Sequence, residues 1–168
     1  MNASDFSEDS MESIVDRFER PLLAYATRMM HGDRQSAQDA VQETFLRLCR
    51  ADRRKIRSRL AAWLFFVCRT RVIDMQRTKS PQPIEAFETT LPDPGPPAEQ
   101  LADESEQCDR LAEMIDRLSD RQQEILRLRM QGGLSYREIA EVTGLTVNNV
   151  GVQLHTAVRN LRQAFATQ

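Results

Sequence analysis

Histidine and cysteine are scarce in this chain, two of the first and three of the second among 168 residues. His31 and His155 have no neighbouring carboxylate or cysteine constellation, and Cys49, Cys68 and Cys108 form no Cys-x-x-Cys pair. A zinc site, a disulfide framework and a nucleophilic triad are therefore not expected, and with them no metal, no cofactor and no catalysed reaction. The cysteines read as small apolar fillers, with redox sensing as the alternative. There is also no apolar run long enough to span a bilayer, and the acidic, polar first ten residues do not look like a signal peptide. A soluble, cytoplasmic protein without a membrane partner is expected.

Strand signals are nearly absent, whereas apolar residues recur at three-and-four spacing, so the predicted fold class is all-α. Proline is rare except in one place: six of the seven lie between Ser80 and Gln100, around Gly95. Proline at that density cannot continue a helix. The stretch 80–102 is therefore read as a flexible, acidic linker between two small helical domains, 8–79 and 103–168. No internal repeat is visible.

The net charge of −2 conceals a strong segregation. Residues 45–79 carry 11 basic and 2 acidic side chains, and residues 80–116 carry 1 basic and 10 acidic. One charge run is ordinarily a solvated face. A basic block directly before an acidic one is harder to dismiss, because clustered Lys and Arg are the electrostatic footprint of phosphate binding.

Within the first domain, Ile14, Val15, Phe18, Leu22, Tyr25, Ala26 and Met29 form a helical stripe that Pro21 is expected to kink or break. His31-Gly32 ends it. Asp33 can cap a second helix with Ala37, Ala40, Val41, Thr44 and Leu48 on one face and Asp39, Gln42, Glu43 and Leu46 on the other. That second face is either a solvated surface or a docking surface. A third helix, about Ser58 to Arg77, begins apolar all round: Leu60, Trp63, Leu64 and Val67 share a face, while Phe65 and Phe66 point elsewhere. Either the bundle covers these rings, or one or two of them hold unstacked bases beside the basic Arg53, Arg54, Lys55, Arg57 and Arg59.

Beyond the linker, Leu111, Met114, Ile115 and Leu118 mark a helix, and Ser119 with Gln122 reads as a capping box opening another that Gly132-Gly133 stops. Ser135 with Glu138 is a further capping box, starting a short helix from Tyr136 to about Thr143. Gly144 supplies a turn, and Thr146 caps a last helix with Val147, Val150, Leu154, Ala157, Val158, Leu161 and Phe165 apolar. Ala140 at a close crossing, Gly144 in the turn and Val150 back in the core are the spacing of a DNA-reading helix-turn-helix. The groove-facing residues are then Asn148, Asn149, Val152, Thr156 and Arg159, with Gln153 at the edge. Asn, Gln and Arg can pair bidentately with bases, and Val can touch a thymine methyl. No Lys or Arg lies between Val147 and Val158. Phosphate contacts supply much of DNA affinity, so this module alone is expected to bind weakly.

These parts resemble the extracytoplasmic-function (ECF) group of bacterial sigma factors, the smallest members of the sigma-70 family, over nearly the whole chain. Gly32-Asp33 followed by Ala37 through Arg47 is similar to region 2.2, which implies that Asp39, Gln42, Glu43 and Leu46 dock on the coiled coil of the RNA polymerase β′ subunit. Trp63-Leu64 through Val67-Cys68 to Asp74 and Arg77 resembles regions 2.3 and 2.4. This implies −10 contacts from Arg57, Arg59, Trp63, Phe66, Thr70, Asp74 and Arg77. Leu134 through Ala140, with Gly144 and Val150, resembles region 4.2, which implies −35 contacts from Arg137, Asn148, Asn149, Val152, Gln153, Thr156 and Arg159. Many members have Asn at the position of Thr70 and Lys-Ser-Arg at Gly151-Val152-Gln153, which implies altered base preferences here. The implied partners are core RNA polymerase through β′ and β, promoter DNA and, as a candidate, an anti-sigma factor, for which the surface around Phe65 and Phe66 is a plausible seat. The competing reading is a free-standing helix-turn-helix regulator.

Overall fold

The computed structural model describes residues 10–79 and 102–167, and every regular element among them is helical. Helix α1 spans Met11–Met29, α2 Arg34–Arg50, α3 Arg53–Ile56 and, after a 3-10 turn over Arg57–Arg59, α4 covers Leu60–Lys79. The second group is α5 Ala102–Asp116, α6 Asp120–Met130, α7 Tyr136–Thr143 and α8 Val147–Ala166. The expected linker, apart from Ala102, lies outside the described residues.

Local chemistry accounts for most boundaries. Ser10 caps α1, and that helix ends where His31 and Gly32 take left-handed φ values of 53° and 90°. Of the kink or break expected at Pro21, the break does not occur: α1 is continuous through the proline. The lost backbone donor is outweighed by packing, because Phe18, Leu22, Tyr25 and Ala26 on either side of Pro21 are all buried. Asp33 caps α2, accepting from the Ser36 amide at 3.1 Å and the Ser36 hydroxyl at 2.6 Å. Those two bonds, and then Lys79 at 3.0 Å, hold the Asp33 carboxyl well below the usual carboxylate range. Lys79 thereby ties the end of α4 to the start of α2.

Two capping boxes open α6 and α7, at Ser119/Gln122 and Ser135/Glu138. Gly144 closes α7 at φ 75°, and Thr146 caps α8 by accepting from the Asn149 amide at 3.1 Å.

The two helix groups are in contact. Buried residues from Ile14 to Val72 and from Ile125 to Leu154 belong to one hydrophobic cluster, and α4 packs on α7. Of the three cysteines only Cys68 is buried, so the expectation of apolar fillers fails for the exposed Cys49 and Cys108. At the end of α8 Phe165 is half exposed, and Val147 at its start is 48% exposed; neither joins the core as its apolar character suggested.

Candidate nucleic-acid interface

Three uncovered surfaces carry the residues singled out from the sequence. The first lies on α2, whose apolar positions Ala37, Ala40, Val41, Thr44 and Leu48 face the bundle. That orientation turns Asp39, Gln42 and Leu46 to solvent, with Glu43 half buried. Leu46 is 54% exposed among these polar groups, and Glu43 accepts from Arg47 one turn on at 3.1 Å.

The second surface runs along α4. Trp63, Phe66, Thr70, Asp74 and Arg77 are three or four residues apart and so form one stripe. Phe66, Asp74 and Arg77 are exposed, and Trp63 and Thr70 are half buried. The Thr70 hydroxyl donates to the Phe66 carbonyl at 2.9 Å, leaving its methyl and a lone pair for anything lying on the stripe. Arg57 and Arg59, exposed in the 3-10 turn, extend the stripe with positive charge, joined by exposed Arg53, Arg54 and Lys55. The two adjacent phenylalanines divide. Phe65 is fully buried, edge-on to Tyr25 with ring centroids 5.4 Å apart, whereas Phe66 is 49% exposed. Phe65 is core, as aromatics at helical spacing ordinarily are, and only Phe66 is free to stack on another ring. An anti-sigma seat at Phe65 is correspondingly closed.

The third surface is the outer face of α8. Val150, Leu154 and Ala157 are buried against α6 and α7, which leaves Asn148, Val152 and Arg159 exposed and Asn149, Gln153 and Thr156 half exposed. Arg137 is exposed near the start of α7. Ala140, 9% exposed, sits in the core at the helix crossing. Tyr136 packs over Gly151, where an added Cβ would lie 3.6 Å from the ring, and the Arg129 guanidinium stands over the same ring, 5.6 Å from its centroid.

Sequence reasoning does not single out the seam between the two helix groups. There Glu124 of α6 accepts from the Tyr25 hydroxyl of α1 at 2.8 Å and from Arg69 Nε of α4 at 2.7 Å. Burial, then the Glu124 charge and hydrogen bond, push the Tyr25 phenol well above its ordinary range. Burial opposes the charge on Arg69, but Glu124 outweighs it and the guanidinium is held more firmly protonated. Arg28 of α1 pairs with Asp116 and donates to Gln123. No signal in the chain could have found these partners, which are 99, 55 and 88 to 95 positions apart.

Among the described residues no group of histidine, cysteine and acidic side chains is arranged to hold a metal, and no helix is long and apolar enough to cross a membrane. The chemistry of the three surfaces is that of binding.

Comparison with known proteins gives that binding a family. Residues 14–81 match the model for Sigma-70 region 2, and residues 108–161 match that for Sigma-70, region 4. The chain is 31% identical over 161 residues to the ECF RNA polymerase sigma factor SigL of Mycobacterium tuberculosis, covering 90% of this chain and 86% of that protein. It is 26% identical to the RNA polymerase sigma factor YlaC of Bacillus subtilis, over 92% of this chain and 91% of that one. It is 30% identical to the ECF RNA polymerase sigma factor RpoE of Cereibacter sphaeroides, over 64% of this chain and 59% of that protein. With both region models matched in order around the proline-rich stretch, the chain belongs to the sigma-70 family as an ECF RNA polymerase sigma factor, a promoter-specific initiation subunit whose partners are core polymerase and promoter DNA.

Proposed function

We propose that the three surfaces divide the work of initiation as follows. Asp39, Gln42, Glu43 and Leu46 on α2 dock on the β′ subunit. The α4 stripe, Trp63, Phe66, Thr70, Asp74 and Arg77, with Arg57 and Arg59, reads and opens the −10 element. Arg137 with Asn148, Asn149, Val152, Gln153, Thr156 and Arg159 reads the −35 element, with the β subunit alongside. Residues 8–79 and 103–168 are the two working units, 80–102 joins them, and the protein acts in the cytoplasm without catalysing a reaction itself. An anti-sigma factor, where one exists, has the exposed Phe66 surface as its seat.

The observation that carries this reading is Phe66. A phenylalanine half exposed on a helix flanked by five exposed Lys and Arg residues is unexplained by folding and fits a base stacked on its ring. Strand opening is then driven by binding energy: each stacked base contributes roughly 1–3 kcal/mol. Transcription by core polymerase over a genomic template library, with and without the protein, tests the reading. Enrichment of start sites that share upstream motifs supports it, and absence of any enriched start overturns it.

A further inference from the structure

The outer face of α8 is chemically narrower than a general base-reading surface. Val150, Leu154 and Ala157 fix the buried direction of the helix, and at about 100° per residue Asn148, Val152 and Arg159 lie opposite it. Asn149, His155 and Thr156 flank that line, with Gln153 at the rim. Among the described residues, the side chains of Asn148, Asn149, Gln153 and Thr156 make no hydrogen bond within the fold. Thr70 and Thr78 on α4, by contrast, turn their hydroxyls back onto their own helix, at 2.9 Å and 3.0 Å. Val152, 54% exposed, leaves its methyl groups uncovered in the middle of the α8 face.

Where these groups stand decides what they can read. A recognition helix meets base edges with its N-terminal residues, and its later turns run out towards the backbone. At about 1.5 Å per residue, Asn148 to Val152 spans about 6 Å, close to two base-pair steps of about 3.4 Å. Arg159 stands about 16 Å beyond Asn148, well over the groove depth of about 8.5 Å, and is left for phosphate. His155 lies two turns in and on the flank. No Lys or Arg lies between Val147 and Val158. Guanine is read chiefly by a bidentate Arg or Lys on O6 and N7, adenine by a bidentate Asn or Gln on N6 and N7, and thymine by apolar contact with its methyl. In the first two turns of α8 the guanine reader is missing, and the readers of both partners of an A·T pair are present.

We propose that this sigma factor reads a −35 element whose contacted core is a run of about three A·T pairs, Asn148 and Asn149 each pairing with an adenine and Val152 covering a thymine methyl, with no guanine contacted by α8. The proposal rests on the assignment of α8 to the −35 element. It separates discrimination from attraction: Asn and Val add nothing to the pull on phosphate, so α8 sorts sequences while core polymerase and the basic first unit supply the hold.

Holoenzyme assembled from core polymerase and the full-length chain tests this on a template library randomised upstream of the start. Transcribed templates are expected to carry an A·T run near −35, and each G·C pair placed in the run is expected to cut transcripts roughly 5- to 150-fold. Deoxyuridine in place of a single −35 thymine removes only the methyl. At one thymine this is expected to cost wild type about fourfold, the worth of one buried methyl group, and to cost Val152→Ala nothing. Asn148→Ala and Asn149→Ala are each expected to lose the preference for adenine at one position while keeping it elsewhere. Guanine selected at a position whose preference any of these variants alters overturns the proposal and keeps α8 as the −35 reader. So does equal use of thymine and deoxyuridine by wild type throughout the run. If the triple variant, with helical circular dichroism intact, selects the same upstream sequences as wild type, α8 is not the −35 reader and the assignment falls together with the proposal. Should the triple variant lose helix, the three single variants decide the same question.

Discussion

Phe65 and Phe66 are neighbours about 100° apart around α4, and that angle gives them opposite duties. Truncating Phe65 removes a fully buried ring from contact with Tyr25 and the α6–α7 loop, so Phe65→Ala is expected to cost about 3–5 kcal/mol in denaturant unfolding. Phe66→Ala is expected to change stability by less than about 1 kcal/mol, yet to reduce open-complex formation by roughly 5- to 100-fold, the worth of one base stack. Permanganate reactivity of promoter thymines checks the second half; equal melting by wild type and Phe66→Ala removes Phe66 from the site. The sequence already marked the start of α4 as apolar on every side. It could not say which ring was covered, because the covering loop lies more than sixty residues downstream. Cys68 makes a second test at this scale. Burial pushes its thiol up to about 12, against the opposing hydrogen bond with Thr44, and the Tyr25 phenol is raised by burial and by Glu124. Both groups are neutral in the folded protein at pH values where an unfolded chain would ionise them. Their stabilisation is therefore intact below about pH 9 and declines as pH rises through the unfolded values of Cys and Tyr towards the folded ones. Denaturant midpoints are expected to fall between pH 9 and 12, and a disulfide reagent at neutral pH should titrate Cys49 and Cys108 but not Cys68.

At the scale of elements, the helix-turn-helix is held by short-range chemistry, and that is why it was legible almost to the residue. Capping boxes at Ser119 and Ser135, the left-handed Gly144 and the Thr146 cap each act within four positions of themselves. Pro21 shows the limit of local rules: its penalty is local, whereas the packing that offsets it comes from α2 and α4, distant in the chain. Two of the glycines of the C-terminal unit, Gly144 and Gly151, should respond in opposite directions. Gly144→Ala forces a Cβ into φ 75° and is expected to cost about 1–2 kcal/mol, although space around it is open. Gly151 lies mid-helix, and its added Cβ would meet Tyr136 at an ordinary 3.6 Å, so Gly151→Ala is expected to stabilise by roughly 1 kcal/mol. Thermal melts of the full-length variants decide both. Destabilisation by Gly151→Ala would mean that close approach to Tyr136 requires glycine there.

For the whole molecule, the charge map along the chain pointed to nucleic acid, but the assembly of surfaces came only with the fold. The basic block around Arg57 and Arg59 sits beside Phe66 on the first helix group, while α8 offers Asn148, Asn149, Val152 and Gln153 with Arg159 as the nearest cation on its face. Positive charge is therefore concentrated beside the α4 stripe of the first unit, while the outer face of α8 carries mostly uncharged groups able to pair with bases, so in the proposed reading the two units contribute unequally to phosphate attraction. Polymerase must hold both, and α2 is where that hold is tested. Asp39 is exposed and, among the described residues, takes part in no ion pair or hydrogen bond, so Asp39→Arg is expected to leave unfolding unchanged within about 0.5 kcal/mol. Reversing a charge on a docking face brings like charges together across the interface, which costs several kcal/mol. Affinity for core polymerase is then expected to fall by roughly 30-fold or more, with open complexes lost in proportion. Titration of labelled protein with core polymerase at two salt concentrations measures this, and the deficit should shrink as salt rises, since screening weakens the repulsion. If Asp39→Arg bound core polymerase as tightly as wild type at low salt, the docking face would have to be sought elsewhere than on α2.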